Sequence, residues 1–176
     1  YCTGDNCAPQ IISKLDHFAS KDAMDIDGFS EKTAELLYNE THVEDAVDLM
    51  NITATDLFGL EGFGDKKIDN LLGAIEKSKH TTLDRFIFAL GIEGIGKKTA
   101  KDLVKRFRTL ENLQNATLAD LGAVDGIGEV LANNIFEYFH DSNNADFVKR
   151  LLESGIVFEE SEEKQGVFSG MKIVLT

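Results

Sequence analysis

The chain has 176 residues, 43% of them hydrophobic, and a formal net charge of −13. This size suits one or two small domains with ordinary cores, and the overall charge by itself argues against an anionic partner such as nucleic acid. No apolar run is long enough to span a bilayer and no signal-peptide pattern is evident. Two cysteines are too few for a disulfide scaffold, so we expect a cytoplasmic protein without a membrane partner.

The first feature along the chain is a pair of cysteines, Cys2 and Cys7, in the stretch CTGDNC. A structural zinc site needs four sulfur or imidazole ligands, and the four histidines are scattered without ligand spacing. The pair is therefore interpreted either as two free thiols or as half of a four-cysteine site. On the second interpretation the other ligands would precede Tyr1, because a chain without an initial methionine is expected to be a piece of a longer protein.

A four-residue motif then recurs four times. It is DGFS at 27–30 (hairpin 1), EGFG at 61–64 (hairpin 2), EGIG at 93–96 (hairpin 3) and DGIG at 125–128 (hairpin 4). Apolar residues follow the last motif position by four and by seven, which is the spacing of one buried helical stripe. These positions are Ala34, Leu37, Ile68, Leu71, Ala100, Leu103, Ala132 and Ile135. We therefore predict that each glycine turn opens an amphipathic helix.

A helix is also predicted before each of the last three hairpins. Thr53, Thr81 and Thr117 each have an aspartate three residues later, in the arrangement of a capping box. The repeating unit is thus helix, hairpin, helix, with extra short helices expected near 44–50 and 110–115. We interpret the four units as two pseudo-symmetric pairs, at about 10–79 and 80–154, in which neighbouring units bury their stripes against each other.

After the fourth unit the sequence predicts a last helix, a linker and an extended segment. A last helix is predicted at about 144–154, and residues 155–167, which include the acidic stretch EESEEKQG, are interpreted as a solvated linker. Residues 168–176 end in the strand-like run MKIVLT and are predicted to be a short extended segment, the first strand of a separate domain. One proline, no tryptophan and little apolar alternation elsewhere indicate the all-α fold class.

The glycines of the motif have two possible roles. Glycine accepts positive φ and ends helices, so any one turn has a purely structural explanation. A turn without Cβ atoms also lets a phosphate approach the free N–H groups at the start of the second helix, where the helix dipole favours anions. Four copies at nearly constant spacing favour phosphate binding.

The distribution of charge supports this interpretation. Residues 62–108 carry eleven basic and six acidic side chains, a net charge of +5 against −18 for the rest of the chain. A solvated charged face is the alternative, but the lysines coincide with the hairpins, and we predict sequence-independent contacts to the phosphates of duplex DNA. The predicted contact residues are Gly62, Gly64, Lys66, Lys67, Gly94, Gly96, Lys97, Lys98, Lys101, Gly126 and Gly128.

The order of these features resembles that of bacterial NAD-dependent DNA ligases. In that family a four-cysteine zinc finger, a four-unit helix-hairpin-helix domain and a BRCT domain follow one another, as CTGDNCAPQ, the four repeats and FSGMKIVLT do here. The resemblance implies that residues 1–9 end the zinc finger, with Cys2 and Cys7 as its last two zinc ligands. It also implies that residues 10–154 bind the minor groove of duplex DNA and that residues 168–176 begin the BRCT domain.

The resemblance further implies a parent enzyme that joins 5′-phosphate and 3′-hydroxyl ends at nicks in double-stranded DNA during replication and repair. A lysine of the parent takes AMP from NAD, with magnesium as a further cofactor. The present chain contains no counterpart of that lysine or of a nucleotide pocket, so we expect it to be a monomeric DNA-binding piece that binds neither NAD nor magnesium.

Two features depart from the family, and two alternatives stay open. Ser30 replaces the second glycine of hairpin 1, so we expect this hairpin to contribute least to DNA binding, and Ala8 and Pro9 stand in reversed order. One alternative is a helix-hairpin-helix module of another DNA-repair or recombination protein, which the flanking cysteines and terminal strand disfavour. The other is a helical protein-interaction module whose glycine turns are only structural.

Overall fold

The computed structural model describes residues 7–159. These residues form α-helices joined by tight turns, together with two short strands, which confirms the all-α fold class. Cys2 of the predicted zinc site and the predicted extended segment at 168–176 lie outside the described residues. None of the helices within residues 7–159 is long and apolar enough to cross a membrane.

The helices follow one another in the predicted order, and two short strands that were not predicted accompany them. The helices are α1 (Ala8–Ala19), α2 (Glu31–Glu40), α3 (Ala46–Met50), α4 (Ala54–Leu57), α5 (Asp65–Ser78), α6 (Leu83–Ala89), α7 (Lys97–Phe107), α8 (Leu110–Gln114), α9 (Leu118–Gly122), α10 (Glu129–His140) and α11 (Ser142–Glu153). The strands are β1 (His80–Thr82), between α5 and α6, and β2 (Val157–Glu159), after α11. The four units are thus α1–α2, α4–α5, α6–α7 and α9–α10, and α3 and α8 are the expected extra helices.

The predicted apolar stripes form the core. All eight stripe positions are buried, with an exposed fraction of 5% or less, because the spacing of four and seven residues places each pair on one face of its helix. Buried side chains from all four units join one continuous hydrophobic cluster. The four units therefore share one core, and their division into two pairs stays a prediction.

Two of the three predicted capping boxes are present. The side chains of Thr53 and Thr117 accept a hydrogen bond from the backbone N–H three residues on, and the aspartates at those positions accept one from the threonine N–H. The box predicted at Thr81 is wrong. Thr81 is buried in β1, and α6 begins at Leu83 with Thr82 as an N-cap that makes no capping bond. Pairing of this segment with β2 takes the place of a cap.

Part of the predicted linker belongs to the folded domain. Strand β2 pairs in parallel with β1, so that Thr81 lies opposite Phe158, and the Val157 N–H donates a 2.8 Å hydrogen bond to the Lys79 carbonyl. The Phe158 ring meets Phe86 edge-on at a centroid distance of 5.2 Å, and Ile156 is buried. Residues 155–159 are therefore not a solvated linker, because backbone pairing and aromatic packing hold them against the junction between the two pairs of units.

Candidate nucleic-acid interface

All four hairpins have the same backbone. In each, the N–H of the middle apolar residue donates to a carbonyl three residues earlier, which closes a tight turn. The donors are Phe29, Phe63, Ile95 and Ile127, at 3.0–3.2 Å. The first glycine of each hairpin has a positive φ: 82° at Gly28, 82° at Gly62, 92° at Gly94 and 87° at Gly126. Only glycine adopts this conformation without strain, so the turn itself explains these four residues.

The middle residue anchors the turn in the core. Phe63, Ile95 and Ile127 are each buried, with an exposed fraction of 8% or less. Phe29 in hairpin 1 is only partly buried. The glycines on either side are consequently held at the surface, and the N-terminus of the following helix is fixed in position.

The second glycine is the N-cap of the following helix in hairpins 2, 3 and 4. Gly64, Gly96 and Gly128 have extended backbones, with φ between −100° and −84°, and no capping bond from a side chain is made at these three ends. The first N–H groups of a helix have no partner within the helix, and the dipole makes this end positive. Each of these three hairpins therefore presents backbone donors to an anion, and a Cβ at Gly64, Gly96 or Gly128 would meet no protein atom within 4 Å.

Hairpin 1 lacks this feature. Its N-cap is Ser30, whose Oγ accepts a 3.3 Å hydrogen bond from the Thr33 N–H. The hydroxyl oxygen occupies the position that a phosphate oxygen would need in order to reach the same donor. This hydrogen bond is a physical reason why hairpin 1 is predicted to contribute least to phosphate binding.

At hairpin 2 the predicted lysines lie on the first turn of α5. Lys66 and Lys67 are both exposed. The Lys67 ammonium lies 4.7 Å from the centroid of the Phe63 ring, within the range of a cation–π interaction. This contact holds one positive charge against the middle residue of hairpin 2.

At hairpin 3 the predicted lysines have carboxylate partners. Lys97 Nζ lies 3.4 Å from Asp22, and Lys98 Nζ lies 2.9 Å from Asp102. The hydrogen bond to Asp102 raises the pKa of Lys98, so this side chain stays charged. Lys101 is exposed one turn further along α7. All three basic groups therefore lie within the first two turns that follow Gly96.

The contact between Lys97 and Asp22 could not have been found from the sequence. Asp22 lies in the loop after α1, in the first unit, and no local pattern connects it with α7. The same loop is held by Arg85, which donates hydrogen bonds to the carbonyls of Lys21 and Ala23 at 2.8 and 3.3 Å. Arg85 is one of the eleven basic residues at 62–108, and it thus has a structural role. Separately, Asp22 places an acidic side chain beside hairpin 3.

At hairpin 4 the backbone donors are present without basic side chains. Glu129 and Val130 follow Gly128, where hairpin 2 has Asp65 and Lys66 and hairpin 3 has Lys97 and Lys98. Val130 is 75% exposed. The start of α10 also packs against hairpin 3: the Leu131 Cδ1 would lie 2.8 Å from a Cβ at Gly94, and the Asn134 amide donates to the Glu93 carbonyl at 3.3 Å. Of the predicted contact residues, the second glycines and the lysines thus lie at the uncapped helix ends, whereas Gly62, Gly94 and Gly126 lie within the turns, where φ is positive.

The predicted metal site is only half visible. Cys7 is the half-buried N-cap of α1 and has a free thiol, which could supply one ligand. Among residues 7–159 no three histidine, cysteine, aspartate or glutamate side chains form a group that could hold a metal ion. Zinc binding by Cys2 and Cys7 therefore stays a prediction.

Comparison with known sequences agrees with this geometry. A family described as the helix-hairpin-helix motif matches residues 85–148, which contain hairpins 3 and 4. Proteins named DNA ligase from Clostridium tetani and Alkaliphilus oremlandii are 45% and 44% identical over 97% of the chain. A protein of the same name from Clostridium perfringens is 43% identical over 100% of the chain.

The chain spans about a quarter of the length of these relatives, 26% for the first two and 27% for the third. The similarity extends well beyond the matched motif, through hairpins 1 and 2 and along β2. From the repeated hairpins, the matched motif and these relatives together, we conclude that the chain belongs with the bacterial DNA ligases, as a helix-hairpin-helix segment of them.

Proposed function

We propose that this segment binds double-stranded DNA through backbone phosphates, in the minor groove and without reading base sequence. The observation that carries the proposal is the uncapped glycine N-cap at the start of α5, α7 and α10, each with open space in front of it. Backbone N–H groups at a helix N-terminus are a ready-made anion site. Phosphate contacts of this kind position a protein on DNA without specifying sequence.

The hairpins should contribute unequally. Hairpin 3 combines backbone donors with Lys97, Lys98 and Lys101, and hairpin 2 combines them with Lys66 and Lys67. Each neutralised phosphate releases condensed counterions, so these two hairpins dominate the affinity. Hairpin 4 contributes backbone donors alone. Hairpin 1 contributes least, because the Ser30 hydroxyl already accepts the hydrogen bond of the Thr33 N–H.

For the parent protein we propose DNA ligase activity that joins 5′-phosphate and 3′-hydroxyl ends at nicks in replication and repair. This rests on the name of the relatives and on the resemblance to the NAD-dependent family. NAD would supply the adenylyl group in the parent, together with magnesium, at residues that do not belong to this segment. Cys2 and Cys7 would complete a zinc finger, residues 168–176 would begin a BRCT domain, and the segment would act as a cytoplasmic monomer.

The test is a fluorescence anisotropy titration of the chain with nicked and intact duplexes at several salt concentrations. We expect both duplexes to bind, with log K falling linearly against log salt by about 0.9 for each phosphate that the protein neutralises. Duplexes of unrelated sequence should bind equally well. Absence of salt-dependent binding to any duplex would contradict the proposal and favour a protein-interaction module.

A further inference from the structure

The side chain four residues before the first glycine of each hairpin differs among the units. It is Met24 in the first unit, Phe58 in the second, Leu90 in the third and Gly122 in the fourth. Met24 is buried and Leu90 packs against the core, whereas Phe58 is 78% exposed. In the second and third units this residue is followed by a glycine with positive φ, Gly59 or Gly91, but its own ψ is 129° at Phe58 and −20° at Leu90. The second unit therefore exposes a large aromatic ring at a position where the first and third units bury an apolar one.

The location of Phe58 places it beside the proposed phosphate site. Phe58 is the C-cap of α4, and Gly64 is the N-cap of α5, so both lie at the hairpin end of their unit. The surface between them is open, since a Cβ at Gly59, Gly62 or Gly64 would meet no protein atom within 4 Å. A ligand that reaches the N–H groups after Gly64 therefore has open space over the loop that carries Phe58.

We infer that Phe58 makes an apolar contact in the minor groove of the DNA held by hairpin 2, against the deoxyribose edges or a base step. This inference rests on the proposed function. Apolar side chains that enter the minor groove pack on sugar and base edges and can partly unstack a base step, which phosphate-contacting lysines cannot do. Phe58 thus adds an uncharged contact at a hairpin whose other DNA ligands are backbone N–H groups and lysines.

The first test is Phe58→Ala, measured by anisotropy with intact duplex across a range of salt concentrations. Removal of an aromatic ring that DNA covers should weaken binding about tenfold at every salt concentration. The salt slope should not change, because no charge is removed. The melting temperature should stay the same, since the ring is exposed in the free protein. The matched control is Val157→Ala on β2. The Val157 side chain is 51% exposed and lies beyond the C-terminal end of α5, about 20 Å from hairpin 2.

The second test uses Phe58→Trp, which introduces a single tryptophan because the chain contains none. Saturating duplex should shift the emission to shorter wavelength and quench it, whereas Val157→Trp should not respond. Unchanged affinity of Phe58→Ala, or an emission spectrum of Phe58→Trp that duplex leaves unaltered, would overturn the inference. Either result with normal wild-type binding leaves the proposed function standing, whereas failure of the wild type to bind any duplex removes both.

Discussion

Hairpins 1 and 3 close with the same turn, and their first glycines have φ values of 82° and 92°. They differ in the residue that caps the next helix: Ser30 bonds the Thr33 N–H, whereas Gly96 leaves the first donors of α7 uncapped by any side chain. Lysines follow Gly96, and Glu31 follows Ser30. The shared backbone is therefore a structural unit, and a few side chains at its helix end determine whether the first N–H groups of the next helix are left uncapped by a side chain.

The packing of these two hairpins against their partner units differs as well. A Cβ at Gly94 of hairpin 3 would lie 2.8 Å from the Leu131 Cδ1 of α10, and the Glu93 carbonyl accepts a hydrogen bond from Asn134. At the equivalent place beside hairpin 1 there is a cavity of about 230 Å³, lined by Asp27, Gly28, Thr33, Phe63, Lys67, Asn70 and Leu71. The two pairs thus follow one plan, but Lys67 in place of Leu131 leaves the first pair less closely packed.

The largest expected effect is at the second position of the hairpin. Gly96→Val should weaken DNA binding by about 2–3 kcal/mol, because the side chain would stand where the phosphate approaches its charge-assisted hydrogen bonds. The fold should be unaffected, since Gly96 has a negative φ and open space around it. Anisotropy measures the loss of DNA affinity, and a thermal melt measures the stability of the fold. The matched control is Ser30→Val in hairpin 1, and a larger reduction in affinity there would contradict the assignment of the DNA face.

The first position should affect stability instead. Gly94→Ala and Gly28→Ala both force an L-residue into the left-handed region, at a cost of roughly 1–2 kcal/mol. Gly94→Ala should cost more, because the new Cβ would also press on Leu131, whereas the space at Gly28 is open. Urea unfolding of the two variants measures the difference. Equal decreases in stability would show that the close packing beside hairpin 3 contributes little.

Removing the lysine charges of hairpin 3 should make DNA binding less dependent on salt concentration. The double change Lys97→Ala and Lys98→Ala should lower the slope of log K against log salt by about 0.9 for each phosphate that is no longer neutralised. The corresponding change at hairpin 1 is Lys32→Ala, which should leave the slope unaltered. DNA titrations at several salt concentrations measure the slope for the double variant and for Lys32→Ala. A slope that does not fall would mean that these lysines are a solvated face.

The acidic neighbour of hairpin 3 should oppose binding. Asp22 lies 3.4 Å from Lys97, so it competes with a phosphate for that ammonium. Asp22→Asn should strengthen DNA binding roughly two- to fivefold, in keeping with exposed ion pairs that are worth up to about 1 kcal/mol. Asp27→Asn is a matched charge removal within hairpin 1. An equal gain from both variants would indicate a general charge effect rather than release of Lys97.

The smallest effect concerns acid stability. Backbone hydrogen bonds from Thr53 and Thr117 lower the pKa values of Asp56 and Asp120 below their ordinary value of 3.8. A carboxyl whose pKa is lowered by folding stabilises the fold above its unfolded pKa, and this contribution disappears as the pH falls through the folded value. Stability should therefore decline below about pH 4. Urea unfolding of Asp120→Asn against pH should show a shallower decline than the wild type, and an unchanged profile would contradict this assignment.

Much of the repeat could be predicted because its signals are local. A left-handed turn requires glycine, and spacings of four and seven place Ile68 and Leu71, or Ala100 and Leu103, on one helix face. The capping boxes at Thr53 and Thr117 follow from residues three apart. Thr81 has the same local pattern, yet its backbone pairs with Phe158 from the far end of the chain, and the distant partner overrides the cap.

The sequence by itself determined where the hairpins lie, which helix faces are buried and which helices begin at a glycine. Each of these depends on the conformation of a few consecutive residues. Only the tertiary structure decided that β2 returns to β1, that Asp22 reaches Lys97 and that Phe58 is left exposed. These features depend on how separate units pack, and a pattern within one unit carries no information about the neighbour that it will meet.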